Sequence, residues 1–194
     1  MLYDNSEKID NLIKNMNLIK LEDIPNIDLY MDQVTTFMEE HLGSQKRQDE
    51  DKILTKTMIN NYAKNDLLPS PDKKKYSRDH MILLTYIYYF KSFLTIGDIK
   101  TITSELSEKY FHSEEEIKLP DIYNEMVHVF DDVLANYKKS VSETSALAEK
   151  CAKELDTDDE YLAKYFLISL LGLDVYMKKQ LIESMIDDMS KKEV

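Results

Sequence analysis

Three glycines and four prolines must serve every tight turn in a chain of 194 residues. A many-stranded protein needs a turn roughly every ten residues, usually built on Gly, Pro, Asn or Asp. The supply is too small for that. Lys, Glu, Leu, Ile and Met are plentiful instead, and these residues favour helix. The chain is therefore expected to be all-α, with at most a short two-stranded wing. Its length is enough to bury a sizeable core, as one domain or two small ones.

Apolar spacing divides the chain. Ile9, Leu12, Ile13, Met16 and Ile19 predict an amphipathic N-terminal helix or arm over residues 1–24, broken by Pro25. Met31, Val34, Phe37 and Met38 predict a helix from Leu29 to Leu42, closed by Gly43. Met81 to Phe90 is apolar nearly all round, which predicts a central core helix starting at a Ser77 cap. Thr95 to Asp98 resembles a capping arrangement for a helix through Leu106. The acidic turn at His112–Glu116 marks the end of a domain over residues 25–110. An acidic helical bundle is expected over 118–194, with helices at about 121–138, 141–154 and 158–189 and a bend near Gly172. Two of those starts rest on capping boxes, Ser140–Glu143 and Thr157–Glu160.

Residues 54–80 hold the most informative pattern. Thr55 suits an N-cap, and the helix after it separates Met58, Ile59 and Tyr62 from Lys56, Thr57, Asn60, Asn61 and Lys64. Leu67–Leu68–Pro69 is expected to stop it, since proline supplies no N–H and disfavours helix in the residue before it. A basic hairpin follows at Lys73, Lys74, Lys75 and Tyr76, and then a new helix near Ser77 and Arg78. Charge is partitioned to match. Residues 52–103 carry a net +5 while the whole chain carries −12, so the only positive third is this one. A local basic patch on a helix-turn-helix pattern is the electrostatic footprint of nucleic-acid binding.

This stretch resembles the DNA-binding domain of the MerR family, where a recognition helix runs into a Leu-Leu-Pro stop. A wing with an aromatic residue before the next cap and a pair of helices follow there. The matching positions are Leu67–Leu68–Pro69, Tyr76–Ser77 and the helix from Ile96 to Ile102, within residues 54–106. Asn60, Asn61 and Tyr62 stand where that family carries an arginine and two aromatic residues, and Lys74 stands where its wing carries an arginine. Most of residues 20–110, including the DIPNIDLYMDQV segment, is similar to a bacterial family named domain of unknown function 1836. That label implies no activity.

The resemblance implies a transcriptional regulator that binds double-stranded DNA. Asparagine can bond adenine at N6 and N7 in the major groove, so Asn60 and Asn61 are candidate base readers. Lys56, Lys64, Lys73, Lys74, Lys75 and Arg78 are candidate phosphate contacts, with Thr55, Thr57 and Tyr76 beside them. A homodimer is expected, because paired modules on a two-fold site gain specificity. A small-molecule effector or a protein partner is left open. The rival reading is a protein–protein adaptor derived from the same fold.

No enzyme is expected and no cofactor. His41, His80, His112 and His128 are scattered without ligand spacing. Asp156–Glu160 begins like a calcium loop but has Tyr161 at the sixth position and Leu167 at the twelfth. The single Cys151 excludes an internal disulfide. The apolar runs Met81–Phe90 and Tyr165–Leu173 are too short to cross a bilayer, and the N-terminus lacks the apolar stretch of a signal peptide. A cytoplasmic setting is expected.

Overall fold

A computed structural model describes residues 6–16, 18–155 and 159–191. Eight helices and two short strands are present among them: α1 (Ser6–Asn15), β1 (Leu29–Tyr30), α2 (Met31–Leu42), α3 (Lys56–Lys64), β2 (Lys75–Tyr76), α4 (Arg78–Phe90), α5 (Ile96–Tyr110), α6 (Leu119–His128), α7 (Phe130–Glu154) and α8 (Glu160–Ser190). The chain divides into two compact units. One takes the described parts of Met1–Met16 and Val129–Met185, and the other those of Asn17–His128 and Ile186–Val194.

α4 is the axis of the Asn17–His128 unit, for the reason its sequence suggests. Ile82, Leu83, Leu84 and Ile87 are fully buried, so the helix has no wet face over its middle turns. Each such side chain contributes about 1.5–3 kcal/mol by leaving water. The surrounding elements supply Val34, Met38 and Leu42 from α2, Ile59 from α3, Ile99 from α5 and Tyr123 from α6. Two hydroxyls are buried with them and stay satisfied within their helices: Thr85 donates to the Met81 carbonyl at 2.9 Å and Thr103 to the Ile99 carbonyl at 2.9 Å.

Several expectations are corrected in detail. The N-terminal helix stops at Asn15 rather than running to residue 24. A 3-10 turn at Leu21–Asp23 follows, and the bends let both Ile19 and Ile24 reach the core, at 3% and 1% exposure. α6 belongs to the α4 unit. Its Tyr123 is fully buried, sits edge-on to Tyr86 and donates its hydroxyl to the Ile19 carbonyl at 2.5 Å. Burial raises the pKa of both phenols, that of Tyr86 to about 12.

The Ser140–Glu143 box starts nothing. α7 runs through it for 25 residues, and the break expected near 138 falls at Val129. Mid-helix, Glu143 lies 3.9 Å from Lys139, Thr144 donates to the Ser140 carbonyl at 2.9 Å, and Val141 is buried. The capping preference of Ser140 yields to a stretch with no breaker and an apolar face to bury. Of the second box, Thr157 lies outside the described residues, as do Asp156 and Asp158 of the calcium-like run.

Candidate nucleic-acid interface

α3 begins where Thr55 accepts a hydrogen bond from the Met58 amide at 3.2 Å. It buries Ile59 and Tyr62, and this leaves Lys56, Thr57, Asn60, Asn61 and Lys64 exposed. No described side chain bonds the side chains of Thr57, Asn60, Asn61 or Lys64, so that polar face is open to a ligand. Lys56 forms an ion pair with Asp32 in the first turn of α2.

The helix is stopped by Asp66 rather than by Pro69. Asp66 adopts the left-handed conformation at φ 56°, and the amides of Leu67 and Leu68 return to the Tyr62 carbonyl at 2.9 and 3.3 Å. That geometry closes a helix C-terminus. It also turns Leu67 and Leu68 into the core, both at 1% exposure. Lys100 of α5 braces the turn from outside, 3.2 Å from the Asn65 carbonyl and 3.4 Å from Asp66.

The basic segment is a tight hairpin. Lys75 donates its amide to the Asp72 carbonyl at 2.8 Å, and Lys73 and Lys74 form a two-residue tip with φ of 47° and 65°. Both tip lysines are exposed and have no partner among the described residues. A two-residue tip with both φ angles positive is the turn that Asn-Gly or Gly-Gly forms without strain. β2 then pairs antiparallel with β1, Leu29 against Tyr76 and Tyr30 against Lys75.

That pairing joins the hairpin base to the start of α3. The Lys75 ammonium lies 5.5 Å from the centre of the half-exposed Tyr30 ring, and Tyr30 is two residues from Asp32, the partner of Lys56. Tyr30 was not among the candidates read from the sequence, because its place beside Lys75 depends on a pairing 45 residues apart. Lys100 was missed for the same reason.

Two candidates face elsewhere. Tyr76 is buried at 3% exposure, edge-on to His80. The Arg78 guanidinium donates to the Leu21 carbonyl, and its Nε is buried without a partner. Both side chains hold the fold together and are withheld from the open face.

His80 anchors the hairpin at both ends. Nδ1 lies 3.0 Å from the Ser77 amide and accepts its proton, so Nε2 carries the ring N–H, which it donates to the Pro69 carbonyl at 3.2 Å. The Ser77 hydroxyl is 2.8 Å from Nδ1 and 2.7 Å from Nε2 of His112. The ring is almost fully buried, and burial, with a further push from His112, lowers its pKa to about 4. The imidazole is therefore neutral at physiological pH.

Residues 19–126 match the family model described as Domain of unknown function (DUF1836). The chain belongs to that family. The match ends within a few residues of the Asn17–His128 boundaries, so the DUF1836 domain is that segment of its unit. No curated protein and no solved structure matches the chain. Among the described residues no helix is long and apolar enough to cross a membrane, and no group of three His, Cys, Asp or Glu side chains is placed to hold a metal.

Proposed function

We propose that the DUF1836 domain is a MerR-like winged helix-turn-helix that binds double-stranded DNA as a cytoplasmic transcriptional regulator. α3 enters the major groove with Thr57, Asn60 and Asn61 toward base edges. Lys73 and Lys74 at the hairpin tip grip phosphate, with Lys56, Lys64 and Lys75 adding to the grip. Tyr30 and Lys100 border the same surface.

The observation that carries this reading is the hairpin tip. Two lysines occupy left-handed conformations that cost a non-glycine residue on the order of 1 kcal/mol each. Both are exposed and have no partner among the described residues. Strain kept at an exposed cationic tip is accounted for by a polyanion that the tip must reach. The Lys56–Asp32 pair and the Lys75–Tyr30 contact support it by linking the helix start to the hairpin base.

The adaptor reading draws on a different observation. Arg78 is taken up by the Leu21 carbonyl and Asp32 puts an acid on the same face, so the cationic surface is smaller than the sequence count implies.

Binding of the purified chain to fragments of its own genome, followed across a salt series, separates the two. The regulator binds a few fragments saturably, and changing Lys73, Lys74 and Lys75 to Glu abolishes that binding. Folded protein that binds no fragment at low salt sends the assignment to the adaptor.

A further inference from the structure

α8 carries an apolar stripe that its own unit leaves uncovered. Tyr161, Tyr165, Ile168 and Val175 are each more than half exposed. With Gly172 they follow one another at alternating steps of four and three residues. That spacing keeps side chains on one seam of a helix and is the spacing by which two helices interlock. Tyr176, also more than half exposed, widens the seam on one side.

The unit is short of core. Its described buried side chains are Val141, Ala148, Ala152, Ala163 and Leu167, three of them alanines. Two long helices and a short one enclose little apolar volume, whereas a pair of such units supplies the four long helices of a bundle. Large exposed apolar patches on a folded chain mark contact surfaces.

Gly172 gives an independent sign. It lies near the middle of a helix of 31 residues, where only proline is less favourable. A Cβ built there meets nothing within 4 Å, so nothing inside the unit demands its absence. A glycine at the centre of an exposed seam permits the close approach of another backbone.

We infer that a second copy of this chain docks on the Tyr161–Val175 stripe, α8 against α8, with the two helices crossing antiparallel at Gly172. A two-fold axis there sets Ile168 across from the partner subunit's Tyr176 and Tyr165 across from the partner subunit's Lys179. The ammonium then meets an aromatic face, a favourable contact.

The charges flanking the stripe are neutralised locally, so an acidic chain does not repel its own copy there. Lys164 pairs with Glu160 at 2.5 Å, Lys178 with Asp174 at 2.7 Å and Lys179 with Glu183 at 3.6 Å. Three tyrosines, an isoleucine and a valine expose roughly 600–700 Å² together, close to the ~800 Å² per partner of a stable interface. The inference stands whether or not the DUF1836 domain binds DNA.

Sedimentation equilibrium of the full chain at about 1–100 µM tests it, since that range brackets micromolar association. Gly172→Leu and Ile168→Glu run beside the wild type. Leucine is a good helix former and finds open space in the single chain, so the variant keeps its helical circular dichroism. The expected result is a wild-type dimer and at least tenfold weaker association in both variants. A wild-type monomer at the highest concentration overturns the inference and leaves the stripe to a different partner. A Gly172→Leu dimer as tight as the wild type overturns it as well.

Discussion

His80 donates to the Pro69 carbonyl and accepts from the Ser77 amide, so one ring bonds the chain entering the hairpin and the chain leaving it. Protonation would put a second N–H against the Ser77 amide and a charge into the core. The folded ring therefore resists it, with its pKa at about 4 against an ordinary 6.5. The unfolded chain takes the proton first as pH falls. The stabilisation from neutral His80 is complete above pH ~6.5 and is lost as pH falls toward 4, up to about 3 kcal/mol in all. Urea unfolding of wild type and His80→Gln at pH 7.5, 5.5 and 4.5 reads this directly. The variant should be less stable at pH 7.5, and the gap should close on acidification, because glutamine does not titrate. A gap that stays constant with pH would assign the acid sensitivity to other groups.

At the scale of elements, the hairpin tip is where local preference and retained charge disagree. Replacing Lys73 with Asn and Lys74 with Gly supplies the residues that its backbone angles favour. The double variant should gain about 1 kcal/mol of stability, seen as a raised thermal midpoint, and on the proposed reading the log–log salt dependence of its DNA binding drops by about two units. Gain of stability with unchanged binding would remove the tip from the interface. The elements differ in how far the sequence revealed them. α4 was legible because it is apolar on every side, and the Thr55 and Ser77 caps because each acts within four residues. The end of α3 is not legible at Leu67–Pro69 because a left-handed aspartate ends the helix before the proline is reached. The continuity of α7 goes with the burial of Val141, Ala148 and Ala152, which a local cap does not report. Tyr30, Lys100 and the anchoring by His80 depend on contacts tens of residues apart, beyond any local pattern.

The whole molecule sets the lysines of α3 and the hairpin within a chain of net charge −12. These two charges act over different ranges. The lysine–phosphate contacts of the proposed reading would be made at the surface, each releasing counterions, so binding would weaken by ~0.9 log units per log of salt for every contact. Repulsion between a bound duplex and the acidic groups of the chain would be long-range, screened within ~10 Å at 0.1 M salt but within ~30 Å at 0.01 M. If the chain binds DNA as proposed, then at 0.1 M and above it should show a straight log–log line whose slope counts its phosphate contacts. Toward 0.01 M the screening length spans most of a protein this size, repulsion grows, and the line should flatten instead of continuing upward. Fluorescence anisotropy with a short duplex from a bound fragment, taken from about 0.01 to 0.3 M salt, measures both regimes. A line that stays straight to the lowest salt would mean that the acidic residues are held away from DNA in the complex. Flattening that disappears when acidic residues of 104–194 are neutralised would identify them as a filter against nonspecific binding.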